Sequence, residues 1–175
     1  MGPWHNSFAA TTLTIAVLGW ACDMPSAGAI NGDYSINGTY AATSDGAYAT
    51  TDYAFHNEAT VRSTWTISST CESADHCSGK VVSDQGWSAP ATMALGHVWT
   101  VEHDVPNWEK CSDGPAFTGH QTFTFSPSNA DGVTQPGSPY LEGRDKTVGP
   151  RYACGTTWYG KPLTVVLPFR LDRIS

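Results

Sequence analysis

The stretch VRSTWTISSTC, residues Val61–Cys71, decides the fold class. Val61, Trp65, Ile67 and Cys71 fall on one side of a period-two pattern, and Arg62, Thr64, Thr66, Ser68 and Thr70 on the other. That is a strand buried on one face only, which belongs to an antiparallel sheet. Three further stretches repeat it. HVWTVEHDV (97–105) puts Trp99, Val101 and Val105 on one side with His97 and His103, against Thr100, Glu102 and Asp104. QTFTFSP (121–127) alternates Phe123 and Phe125 with Thr122, Thr124 and Ser126. LTVVLPFRL (163–171) aligns Leu163, Val165, Leu167, Phe169 and Leu171.

Turn signals separate these stretches. Asn31-Gly32, Asn37-Gly38, Asp45-Gly46, Asp113-Gly114 and Asp131-Gly132 are residue pairs that tolerate positive φ. Gly and Pro are too frequent elsewhere to permit long helices. Weaker strands are expected at Tyr34–Ala41, Ala47–Phe55, Lys80–Ser83, Ala91–Leu95, Tyr140–Glu142 and Gly155–Tyr159, and one helical turn at Asp104–Lys110. The segment Ser126–Pro139 reads as an exposed loop. Eight to ten short strands with local turns predict an all-β antiparallel meander. Its edges are managed best by closing into an up-and-down or partly open barrel, with a β-sandwich as the alternative.

Composition agrees. Only 14% of the 175 residues are charged, against about 25% in an ordinary domain. Ser and Thr supply 37 positions instead. The chain is 40% hydrophobic and 11% aromatic, enough to fold. A net charge of -7 argues against nucleic-acid binding.

Phe8–Trp20 is apolar and too short to span a bilayer, and Ala27-Gly28-Ala29 offers small residues for cleavage. Residues 1–29 are therefore expected to be a secretory signal peptide, although MGPWHNS before the apolar run has no Lys or Arg. Lipidation of Cys22 is disfavoured by the bulky Trp20. Residues 30–175 then form a single disulfide-stabilised β domain, exported and extracellular. It retains Cys71, Cys77, Cys111 and Cys154, an even set that fits two disulfides. Three pairings are possible; nearness in sequence favours Cys71–Cys77 with Cys111–Cys154. The longer bridge would contribute roughly 3–4 kcal/mol by loop entropy. No CxxC or Cys/His cluster indicates zinc.

Catalytic motifs are missing: there is no G-x-S-x-G, no H-E-x-x-H and no P-loop. No catalytic residue, metal or cofactor is implied. The simplest place for His97 and His103 is at strand ends; about 20 Å apart along a straight strand, they cannot share a metal ion. Glu102 and Asp104 read as solvent-facing. Asp75-His76 sits in the small Cys71–Cys77 loop, and Asn37-Gly38-Thr39 matches a glycosylation sequon that also reads as a turn. Trp65 and Trp99 fall on core faces. Trp87, Trp108 and Trp158 lie beside turns, where an aromatic ring plugs a barrel end or forms a binding lip. If the barrel is open inside, the candidate ligand contacts are His97, Trp99, His103, Trp87 and Trp158.

The chain also resembles small secreted proteins of mycobacteria and other actinobacteria whose function is unassigned. The likeness rests on Trp65-Thr66-Ile67 with Cys71 and Cys77, Val82-Ser83, Gly86-Trp87, and Trp108 with Cys111 and Asp113-Gly114. Leu141-Glu142-Gly143, Cys154-Gly155 and Pro168-Phe169-Arg170-Leu171 complete it, so that it spans most of residues 38–174. Similar modules are appended outside the membrane to some actinobacterial Ser/Thr kinases. The resemblance implies a sensing or binding role and supplies no catalytic residues. The expected function is non-catalytic binding of a small apolar or envelope-derived ligand. The alternatives are a protein- or cell-surface interaction module, and a hydrolase built on His97, His103 or His120. Neither nucleic acid nor a membrane span is expected, and the oligomeric state is left open.

Overall fold

A computed structural model describes Gly2 and residues 34–175, apart from Leu95 and residues 156–159. The signal-peptide reading, the Asn31-Gly32 turn and Trp158 lie outside the described residues.

The alternating stretches become strands. In chain order these are β1 (Gly38–Ser44), the two-residue β2 (Thr50–Thr51) and β3 (Ala54–Phe55), and β4 (Val61–Ser73). Then follow β5 (His76–Ser83), β6 (Ser88–Ala94), β7 (Val98–Glu109), β8 (Phe117–Pro127), β9 (Tyr140–Val148) and β10 (Thr164–Arg173). From β4 to β10 each strand pairs antiparallel with the next. β1 pairs with β4 on one side and with β10 on the other, Ala42 facing Leu171 and Ser44 facing Phe169. The sheet is thus a closed eight-strand up-and-down barrel, which leaves no long edge exposed.

Pairing registers place alternate residues inside. Trp65, Ile67, Val81, Ala91, Met93, Trp99, Val101, Phe125, Leu141, Phe169 and Leu171 fill one half of the interior. Trp65 is its hub: its ring lies 4.8 Å from Phe123, 5.1 Å from Phe169 and 5.2 Å from Trp87. The contacts with Phe123 and Trp87 are edge-to-face, the geometry that the ring quadrupole favours. This half is closed by the chain before β1. Ile36 is buried, its N–H donates to Ser69 Oγ (2.8 Å), and Trp99 Nε1 donates to the Tyr34 carbonyl (3.1 Å).

Local differences from the sequence expectations have physical causes. The expected strand Ala47–Phe55 is broken by a 3-10 turn (Gly46–Tyr48), capped by Asp45, which accepts from Ala47 N–H. Asp104–Lys110 is not a helical turn. β7 continues to Glu109 through a bulge, with Asn107 at φ 56° after Pro106, so that the register jumps from Val105 opposite Gly119 to Glu109 opposite Phe117. β9 runs six residues past Glu142, and Ala153–Gly155 form a second 3-10 turn; the rest of the expected strand Gly155–Tyr159 lies outside the described residues. Gly143 is required by close approach, since a Cβ there would land on the Thr124 carbonyl.

Cys71 pairs with Cys77 at the tip of the β4–β5 hairpin, and Cys111 pairs with Cys154. The second bridge ties the β7–β8 loop to the β9–β10 loop at the other end of the barrel. Sequence separations of 6 and 43 residues give chain-entropy stabilisations of about 2 and about 4 kcal/mol. Replacing both cysteines of the longer bridge by alanine is expected to lower unfolding free energy in urea by about 1.5 kcal/mol more than the same change at Cys71–Cys77. An equal or larger loss from the short bridge would contradict this. Gly143→Ala is expected to destabilise the fold more than either hairpin-loop substitution Gly132→Ala or Gly96→Ala, whose added Cβ meets open space.

Candidate functional site

The other half of the barrel is not filled. A cavity of about 440 Å³ opens at the end where β1 stops and β4 begins. Trp65, Phe123, Leu167 and Phe169 line it where it meets the packed half. Val105, Trp108, Leu163 and Val165 line it nearer the mouth, and Thr51, Glu58 and Ala59 from the excursion between β1 and β4 form part of the rim. Trp87 lines it from the β5–β6 turn.

Of the charged side chains that line it, Glu58, Glu109, Lys110 and Asp145, the most deeply buried is Asp145. Asp145 on β9 faces inward between Phe123 on β8 and Leu167 on β10, and is 2% exposed. Its Oδ2 accepts a hydrogen bond from Ser44 Oγ (2.7 Å) and its Oδ1 one from Gln121 Nε2 (2.7 Å). Burial pushes its carboxyl above the ordinary range, while those two hydrogen bonds and the nearby His103 act in the opposite sense.

The β7 bulge turns two more side chains into the mouth. Trp108 lies over Gly119, where a Cβ would come within 2.8 Å of the indole and 2.7 Å of the Thr147 methyl. Glu109, 8% exposed, rests against Gly149, and its Oε2 has no hydrogen-bond partner among the described residues. Burial, followed by the charge of Asp52, raises its carboxyl above the usual range. Gly119 and Gly149 are thus the small residues that admit Trp108 and Glu109. The Cys111–Cys154 bridge fastens the loop that begins directly after Glu109 and Lys110.

Of the residues singled out in the sequence, the structure brings Trp87 and His103 together. Their rings stack at 4.0 Å and 15°. His103 Nδ1 lies 3.1 Å from the Asp104 carbonyl, and its Nε2 is buried without a partner among the described residues. Only Trp87 of the two lines the cavity. Trp99 is fully buried in the packed half, and His97 lies in the β6–β7 turn at that same end. His120 pairs with Asp104 (3.0 Å) on the exposed outer face, outside the cavity wall. Among the described residues no three His, Cys, Asp or Glu side chains gather as metal ligands. No helix among them is long and apolar enough to cross a membrane.

Asp145 and Glu109 were not candidates in the sequence. The available signal was phase: Leu141, Asp145 and Thr147 are buried at even spacings along β9, with the exposed Gly143 between them. A glycine and then a charge in that phase hide it from a hydrophobic pattern.

The Asp145 carboxyl predicts a pH dependence. Its folded value is raised, so between about pH 4 and that value the unfolded chain holds fewer protons than the native one. Stability contributed by Asp145 therefore falls as pH rises through this window. Asp145→Asn, with the Gln121 amide free to turn, is expected to be more stable than the parent at pH 7, the difference shrinking toward pH 4. Urea unfolding at both pH values checks this, and a pH-independent difference would contradict it.

No protein-family model matches the chain. No curated protein matches it either. Among solved structures, the barrel is similar to the sensor domain of Mycobacterium tuberculosis PknI, described in its monomer form. The TM-score is 0.53 at 14% identity, over 81% of this chain and 88% of that one. The likeness is one of fold.

Proposed function

We propose that this chain is a secreted, non-catalytic β-barrel domain that binds one small, largely apolar, envelope-derived ligand in the cavity at its open end. The observation that carries the reading is the cavity itself. Its volume of about 440 Å³ falls within the usual 300–1,000 Å³ of small-molecule sites. An eight-strand barrel is just wide enough to be filled by side chains or to hold one small ligand, and here one half is filled and the other is not. The PknI likeness supports an extracytoplasmic sensing architecture, as does the sequence resemblance to kinase-appended modules. Two disulfides fit an oxidising compartment, in keeping with export directed by residues 1–29. In this reading Trp87 and Trp108 are contact residues at the mouth, and His103 supports Trp87 by stacking behind it.

A second reading, an interaction module, draws on one observation. The excursion that forms part of the rim also exposes Tyr48, Tyr53 and Phe55 at 70–82%. A partner docking there would cover three aromatic rings beside the mouth.

Titration with N-phenyl-1-naphthylamine, a neutral fluorophore that brightens in apolar sites, tests the first reading. One molecule is expected to bind per chain, quenching the tryptophan emission contributed by Trp65, Trp87 and Trp108. Ala59→Trp, which places an indole at the exposed rim, should weaken binding at least about tenfold, corresponding to about 1.4 kcal/mol. Tyr53→Ala with Phe55→Ala should leave it unchanged. Binding that ignores Ala59→Trp but is lost with the aromatic pair would overturn the cavity reading in favour of the outer surface.

A further inference from the structure

The charge inside the cavity identifies the kind of ligand, on the premise that the cavity is a ligand site. Three carboxylates line it, Glu58, Glu109 and Asp145, against one cationic side chain, Lys110, which is exposed. Glu58 is already engaged, with His56 Nδ1 at 2.8 Å and the Thr51 hydroxyl at 2.9 Å. The other two are more than nine-tenths buried, and among the described residues neither forms an ion pair. Among the described residues Asp145 is hydrogen-bonded by two neutral donors, Ser44 and Gln121, with His103 acting on it only at a distance. Among the same residues Glu109 Oε2 has no donor. Buried carboxylates without a counter-charge are costly and are ordinarily paired.

The surroundings of Asp145 are equally specific. Trp65, Phe123 and Phe169 line the cavity with it, and their rings lie 4.8–5.1 Å from one another. Aromatic faces attract cations, tryptophan most strongly. A carboxylate set among aromatic rings is the chemistry that recognises an organic ammonium group.

We propose that the ligand is an amine-bearing amphiphile, bound with its ammonium group against Asp145 among Trp65, Phe123 and Phe169 and its apolar body extending past Val105, Leu163, Val165 and Trp108 to the mouth. Asp145 lies on β9, and Glu109, from the end of β7, rests at Gly149, one residue past the end of β9 and four residues on from Asp145. That is about 13 Å at 3.3 Å per residue. The inner carboxylate meets the head group, and the outer one disfavours anionic amphiphiles at the mouth. Fatty-acid-like ligands are repelled by both.

Displacement of N-phenyl-1-naphthylamine by a head-group series at pH 7 tests the assignment. The probes are octylamine, 1-octanol and octanoate, which share one alkyl chain. Octylamine is expected to displace the fluorophore at about tenfold lower concentration than octanol, with octanoate the weakest. In Asp145→Asn the preference for amine over alcohol should fall below about threefold, octanol serving as the reference within each protein. Octanol or octanoate matching octylamine in the parent protein would overturn the amine assignment while leaving the cavity reading intact. Failure of the fluorophore itself to bind would overturn the cavity reading first. The parent-protein series needs no variant, so the assignment is decided even if Asp145→Asn does not fold.

Discussion

Hydrogen bonding between β1 and β10 is the constraint on which everything else depends. It joins residues 40–44 near the start of the described chain to residues 169–173 at its end. Without it, β1 and β4 to β10 would be an open sheet with unpaired backbone groups along its two outer strands, β1 and β10. With it, alternation along each strand becomes a statement about inside and outside. The inside of an eight-strand barrel has room for side chains or for one small guest. The packed half, centred on Trp65, provides the rigidity. The emptier half inherits that rigidity without filling its own space, and the Cys111–Cys154 bridge holds two of its rim loops together.

Polarity inside the barrel is concentrated rather than scattered. Ser44, Gln121 and Asp145 form one connected group at the inner end of the cavity. A buried hydrogen-bonded network of this kind is expensive unless every member is satisfied. Its hydrogen bonds are made, but among the described residues Asp145 forms no ion pair, and His103 acts on it without touching it. Stability is therefore spent where a ligand's charge would restore it. The β7 bulge contributes likewise. It abandons ladder regularity near Pro106 and Asn107, and in return turns Trp108 and Glu109 toward the mouth.

The barrel was legible because its core residues obey a period of two. Trp65, Ile67, Trp99, Val101, Phe123, Phe125, Leu167, Phe169 and Leu171 alternate with hydroxyl or charged neighbours, and the Thr- and Ser-rich composition is the outer face of that pattern. The site was less legible for the same reason. Asp145 breaks the apolar phase of β9, so the sequence pattern of the strand ends at Glu142. Only the pairing of Phe123 with Asp145, and of Asp145 with Leu167, reveals that the carboxylate points inward. Trp87 could be found from its place beside a turn. Trp99 and His97 were read from the apolar face of one strand, but the filled end claims the first and a turn the second. Sequence spacing cannot distinguish the two ends of a barrel, because both expose the same alternation.

Native mass spectrometry of the protein purified from its own host tests the central claim most directly. The account predicts that each chain carries a single small organic molecule of defined mass, and that this mass is lost in Ala59→Trp. A bare chain mass for the parent protein under gentle ionisation, identical to that of the blocked variant, would contradict it.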